Sequence, residues 1–253
     1  MHLILTGATG LVGSGVLDAM IKMKDVTKIS ILARRPVAMA ENAKDPRIDV
    51  IIHKDFNSYS PEVLDKLRGA KGVVWALGIS QNLVSKEDYV KITKDYTLAA
   101  AEAFAPLASA DEPFRFVYVS GEGATHSPGR FTPIFGRVKG ETEMALSEMR
   151  DTRPGFLTES VRPAGVDAGH HAAIKPYIPN PGLMYNAMWV LFAPVMLVAK
   201  SFHSPTEPLG QFLTGMAMGK YDGPLAAGGQ GVQTLSGGSR VVSNVGFRRL
   251  FGL

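Results

Sequence analysis

No cysteine occurs in this chain of 253 residues. Disulfides, a thiol nucleophile and cysteine-ligated zinc or iron–sulfur centres are excluded with it, and a reducing compartment is compatible. Also missing is any stripe of basic residues interleaved with aromatics. The net charge is +4 and the pI is near 9.2, but lysine and arginine are scattered, so no nucleic-acid interface is read here. Nor is there an unbroken apolar run of the roughly 20 residues that span a bilayer. The most apolar stretch, residues 183–199, carries Met184, Tyr185, Met188, Trp189, Phe192 and Met196 but is interrupted by Asn186 and Pro194. It reads as a buried or pocket-lining helix, with no integral membrane span expected. No basic leader or cleavable apolar segment precedes the first strand-like run, so the cytoplasm is the expected location. His170 and His171 are adjacent and point apart, and no third ligand stands at ligand spacing, so no metal site is expected.

What is present starts at once. The apolar run 2–5 leads into Thr6-Gly7-Ala8-Thr9-Gly10-Leu11-Val12-Gly13 and then into the helical spacing of Val16, Leu17, Met20 and Ile21. A strand, a glycine turn and a helix start in that order suit a dinucleotide. Gly7 permits a sharp turn, Gly10 leaves the backbone bare for a pyrophosphate, and Gly13 permits close packing. The helix N-terminus then faces the phosphates with free N–H groups and partial positive charge.

Strand-like runs recur down the chain at 28–33, 49–52, 72–77, 114–119 and 156–161, with helical patterns between them, notably at 86–107 and 134–149. Alternating strands and helices predict a doubly wound α/β fold, a parallel sheet with helices on both faces and ligands at the carboxyl ends of its strands. The motifs fall at those ends. After the second strand stand Arg34 and Arg35, where an NAD-selective site would carry an acid; two guanidinium forks there favour a 2′-phosphate and hence NADP(H). Asp55 and Phe56 follow the third strand as adenine contacts. Ala76, Leu77 and Gly78 end the fourth with room for the adenosine side. Ser120, Gly121, Glu122 and Gly123 follow the fifth, and Arg162 and Pro163 the sixth.

Together Thr6 to Gly13, Arg34-Arg35, Asp55, Ser120, Lys139-Gly140-Glu141 and Arg162-Pro163 resemble the atypical short-chain dehydrogenase/reductases, the NAD(P)-binding, nucleoside-diphosphate-sugar-epimerase-like branch. The resemblance covers residues 1–167. It implies a Rossmann core there and a small helical, substrate-covering C-terminal region over 168–253. The cofactor contacts it implies are Gly7, Thr9, Gly10, Leu11, Val12, Gly13, Arg34, Arg35, Asp55, Phe56, Ala76, Leu77, Gly78, Ser120, Lys139 and Pro163. In the family's active members a Tyr-x-x-x-Lys pair follows the fifth strand. The lysine holds the nicotinamide ribose and lowers the tyrosine pKa, the tyrosine passes the proton, and a serine polarises the carbonyl.

This chain departs at the proton donor. Lys139 matches, but Phe135 stands where the tyrosine would be and has no hydroxyl to give. Ser120 and Lys139 remain as catalytic candidates, with Glu122 as a candidate acid or base if it is partly desolvated. Three functions stay open: an NADP-dependent oxidoreductase on a small hydrophobic carbonyl compound, with its proton from Glu122, a loop histidine or water; a non-redox isomerase, cyclase or lyase that keeps NADP in its pocket; and an NADP-sensing protein without turnover. The first leads, because hydride transfer needs only a cofactor and a positioned acceptor.

The remaining expectations concern the C-terminal third. Residues 204–218 read as a capped helix acting as a lid or supporting one. The Gly- and Ser-rich run over 220–240 reads as lacking a core element, and so as a flexible arm. Residues 241–253 read as docking back or pairing with a second copy in a homodimer.

Overall fold

The computed structural model describes residues 1–109, 111–178 and 200–253. The apolar segment 183–199 and Pro179, Asn180 and Pro181 lie outside the described residues.

Eight strands form one sheet in the order β3-β2-β1-β4-β5-β6-β10-β9. They are β1 (His2–Thr6), β2 (Lys28–Ala33), β3 (Ile48–Ile52), β4 (Ala70–Trp75), β5 (Phe114–Val119), β6 (Phe156–Val161), β9 (Val232–Thr234) and β10 (Arg240–Val242). All pair in parallel except β9, which runs antiparallel to β10. The fourth strand begins two residues earlier than its apolar pattern suggests, and 76–77 already belong to the ligand-facing loop. A small parallel pair, β7 (Gly165–Asp167) with β8 (His203–Pro205), lies apart from the main sheet.

Alternation along each strand sorts the core into two layers. Leu3 and Leu5 of β1 join a cluster with Val16, Leu17 and Met20 of α1 (Leu11–Lys22) and Leu209, Phe212, Leu213 and Met216 of α7 (Thr206–Ala217). Ile4 faces the other way, into an aromatic layer of Phe56, Trp75, Phe104, Phe114, Phe116, Tyr118 and Phe156. Covering that second face are α3 (Pro61–Leu67), α5 (Tyr96–Phe104) and α6 (Ile134–Asp151), while α2 (Ala38–Ala43) follows β2. Before α5 comes α4 (Lys86–Val90), joined to it by a π-helical turn, Lys91–Asp95, that brings Thr93 inward.

Helix α7 is core, not lid. It crosses α1 so closely that a Cβ on Gly210 would run into the Gly15 carbonyl, and Leu209, Phe212 and Leu213 are fully buried. No side chain caps it: Pro205 holds the cap position, and Ser204 instead donates to Asn244 Oδ1 (2.6 Å) and accepts from the Ala164 N–H (2.9 Å). The glycine-rich run also differs from its reading. It contains α8 (Asp222–Ala227), which buries Leu225, and β9 at the sheet edge, and Leu235 is buried as well. Residues beyond 240 do dock back, as β10 beside β6 and as α9 (Asn244–Phe251), whose Phe247 packs on Phe212 at 5.2 Å. Among the described residues no helix is long and apolar enough to cross a membrane.

Candidate active site

The loop between β1 and α1 organises the site. Gly7 sits at φ +69°, and a Cβ there would strike the Ala76 carbonyl. A Cβ on Gly13 would strike the Gly7 carbonyl, so Gly13 closes the turn against the loop itself rather than against the sheet. Gly10 is different: its nearest neighbour to an added Cβ is the Gly7 carbonyl oxygen at 3.3 Å, and space lies open beyond it. Ser14 Oγ donates to the carbonyls of Ala8 (3.1 Å) and Gly10 (2.8 Å), holding the loop in place. Helix α1 has no side-chain cap and no acid in its first turn, so its partial positive charge and unpaired N–H groups stay available to an anion.

Two cavities flank this loop. The first, about 440 Å³, is lined by Gly7, Thr9, Leu32, Arg34, Arg35, Phe56 and Leu77 among others. Arg34 and Arg35 are exposed, and among the described residues neither side chain has a hydrogen-bond or ion-pair partner. Phe56 reaches the cavity from the aromatic layer, edge-on to Trp75 at 6.0 Å. Asp55 is not in the lining. Its carboxylate closes its own turn, Oδ1 accepting from the N–H and Nδ2 of Asn57 (both 3.0 Å) and Oδ2 from Ser58 (3.1 Å), and these contacts hold its pKa below the usual carboxylate value.

The second cavity, about 450 Å³, collects Gly10, Leu11, Val12, Ala76, Leu77, Gly78, Tyr118, Ser120, Lys139 and Pro163. Residues from three strand ends, the glycine turn and α6 thus meet in one place. Lys139, on α6, lays its stem over the bare Gly121 and donates from Nζ to the carbonyls of Ser120 (2.7 Å) and Val119 (3.2 Å). Its ammonium lies 5.7 Å from the centre of the Tyr118 ring, a cation–π arrangement. Desolvation lowers its pKa to about 8, with Glu143 opposing. Ser120 Oγ is buried and, among the described residues, has no hydrogen-bond partner.

Two residues singled out in the sequence, the candidate acid Glu122 and Phe135 in the tyrosine position, lie elsewhere. Glu122 is not in the lining; its Oε1 accepts the Asn244 N–H (2.6 Å) at the start of α9. Phe135 is one helical turn from Lys139, but its ring tip rests on Gly123, with Cζ 3.1 Å from where a Cβ would stand, while its N–H donates to Gln81 Oε1 (3.1 Å).

Other groups emerge only in three dimensions. Glu143, fully buried and four residues after Lys139, takes Arg162 in a forked pair (Nε to Oε1 2.9 Å, Nη2 to Oε2 2.5 Å) and contacts His126 Nε2 at 2.6 Å. This pair ties the helix bearing Lys139 to the loop bearing Pro163. The spacing of four from Lys139 is the signal that could have found it. Tyr118 lies two residues before Ser120 and so on the same strand face, a relation that period two predicts. His171 meets Asp18 (2.9 Å) and Thr206 (3.0 Å), and ligand atoms of Asp18, His171 and Glu207 lie within 4.8 Å of one another, a grouping that sequence spacing hides. Lys22 already answers that negative charge, at 2.7 Å from Asp18 and 3.3 Å from Glu207.

No protein-family model matches the chain. It is 48% identical over 158 residues to botcinic acid biosynthesis cluster B protein 16 of Botryotinia fuckeliana, a match covering 62% of this chain and 98% of that protein. It is 36% identical over 196 residues to leucinostatins biosynthesis cluster protein T of Purpureocillium lilacinum, covering 70% of each. Among solved structures, an oxidoreductase of the short-chain dehydrogenase/reductase family from Burkholderia thailandensis superposes with a TM-score of 0.64 over 97% of this chain and 92% of that one, at 12% identity. The fold is that of the short-chain dehydrogenase/reductases. The sheet order and the glycine turn leading into α1 agree with that likeness. Against the expected Tyr-x-x-x-Lys pattern, Lys139 lines the second cavity and the residue four before it, Phe135, has no hydroxyl.

Proposed function

We propose that this protein is an NADP(H)-dependent oxidoreductase of the atypical branch, acting on the carbonyl or alcohol of a small, largely apolar molecule. One observation carries the reading: the open face of Gly10 lies between two cavities, one with Arg34 and Arg35, the other with Lys139 and the Ser120 hydroxyl, and among the described residues neither the arginines nor that hydroxyl has a partner. A dinucleotide fits that division chemically. The first turn of α1 would hold its diphosphate, the two arginines its 2′-phosphate, and Lys139 with Ser120 would work at the far end. When bound, the nicotinamide supplies a hydride donor or acceptor. The chain's own part is to hold the substrate beside Ser120 and Lys139 and to keep water out with Leu11, Val12, Ile79 and Val166. The relatives named for two biosynthesis clusters support a tailoring step on a small natural product.

Binding of NADPH and NADH, compared by calorimetry, tests the reading. NADPH is expected to bind more tightly, each guanidinium contact with the 2′-phosphate contributing roughly 1.5–3 kcal/mol. Replacing Arg34 and Arg35 together by Ala should remove most of the difference. Equal affinities in the native protein would overturn it. Phe135 favours one other reading, a non-redox isomerase or lyase that keeps the nucleotide as part of its pocket. Product formed with no change at the nicotinamide absorbance band would select that one.

A further inference from the structure

With Phe135 turned onto Gly123, the site still needs a group that exchanges a proton with the substrate oxygen, and the cavity offers few. Glu122 is engaged with α9, His126 with Glu143, and His171 with Asp18 and Thr206; none of the three lines the cavity. Tyr118 does line it, but burial pushes its phenol well above the ordinary value and makes it a poor acid. Ser120, Ser80 and Thr93 carry alcohols, which orient but do not ionise near neutrality.

Lys139 remains. An ammonium has three N–H donors, and two of them are taken by the Ser120 and Val119 carbonyls. Among the described residues the third has no partner and is left for the cavity, where the Ser120 hydroxyl also lacks one. We propose that Lys139 is itself the proton donor and acceptor of this site, with the Ser120 hydroxyl holding the substrate oxygen beside it. This goes beyond holding a ribose, and it rests on the NADP(H) reading given above.

The balance is simple. In reduction the carbonyl carbon gains the hydride that a reduced nicotinamide supplies, and the C=O π pair moves to oxygen. The oxygen takes a proton from Lys139 Nζ, and the electrons of the broken N–H bond stay on nitrogen, leaving a neutral amine. The amine's two hydrogens still satisfy both backbone carbonyls. Its lone pair takes the third direction, ready to accept the proton in the reverse reaction. Facing the ammonium are Tyr118 from β5 and, on its own helix, Glu143, whose charge is shared with Arg162 from the end of β6 and with His126. That sharing leaves desolvation as the larger influence on Lys139, and a midpoint of about 8 suits proton exchange near neutral pH.

Three measurements on the full chain test this. Competitive acetylation of nucleotide-free protein, read by mass spectrometry from pH 6 to 11, should give Lys139 a midpoint of about 8. Labelling together with ordinary lysines, above about pH 10, would overturn the proposal. In Lys139→Arg the positive charge survives but cannot be given up. NADPH affinity should stay within about threefold, while carbonyl reduction falls by about a hundredfold or more; reduction at the native rate would also overturn it. If Lys139→Arg does not fold, the titration of the native protein still decides. NADPH binding to the native protein separates the two ideas: no binding defeats the cofactor reading whatever Lys139 does, whereas binding with an ordinary Lys139 titration defeats only the proton-transfer role.

Discussion

Three glycines in one turn do different work, and substitution separates them. Gly10 occupies the helix cap in extended backbone (φ −96°) with space beyond it, so Gly10→Val should fold at a cost of under about 1 kcal/mol and lose nucleotide binding. Gly13→Ala drives a methyl into the Gly7 carbonyl and should cost roughly 1–3 kcal/mol of stability. Thermal denaturation with a binding isotherm checks both; native affinity in Gly10→Val would misplace the phosphate site. Phe135 is the other informative residue. Its ring tip abuts Gly123, so Phe135→Tyr should set the new hydroxyl by that backbone and leave carbonyl reduction within about threefold. A rise of tenfold or more in NADPH oxidation would show that the ring reaches the substrate.

At the scale of elements, β2, β5 and β6 were legible to the residue because each is a six-residue strand-like run closed by Arg-Arg, Ser-Gly or Arg-Pro. The glycine turn and its arginines were legible for the same reason: their chemistry is local in sequence. Strands β9 and β10 were not, since each has three residues: β10 finds its place by pairing with β6 across about eighty positions, as between Arg240 and Glu159, and β9 follows as its antiparallel neighbour. Glu122 shows the same limit at the site. Its sequence position suits an acid, but its carboxylate meets a backbone N–H 122 residues away, at the positive end of α9. Glu122→Ala should therefore lower stability by about 1–2 kcal/mol while the shape of the pH–rate profile is kept. Loss of one limb of that profile would return Glu122 to the chemistry.

For the molecule as a whole, acid is the weak side. His2 is buried at the head of β1 with Nε2 2.8 Å from Ser30, and desolvation, aided by Lys28, lowers its pKa from 6.5 to about 4. The unfolded chain binds a proton below pH 6.5 that the folded chain refuses until about pH 4. The resulting stability is present above pH 6.5 and is lost as the pH falls between those values, by about 3 kcal/mol in all. Urea unfolding of His2→Asn at pH 7 and pH 4.5 should show a smaller difference than the native protein does. An unchanged difference would remove His2 from the account.

The crossing of α1 and α7 also has a consequence in time. Lys22 and Glu207 form an ion pair across 185 residues, and Val16, Leu17 and Met20 share a core cluster with Leu209, Phe212 and Leu213. At synthesis rates of about 5–20 residues per second, the helix that would grip a diphosphate waits roughly 10–40 s for its packing partner to leave the ribosome. Throughout that interval β1 and β2 can cover part of its apolar face, but the part that α7 will cover stays open. The end proposed to grip the nucleotide is thus translated first and packed last.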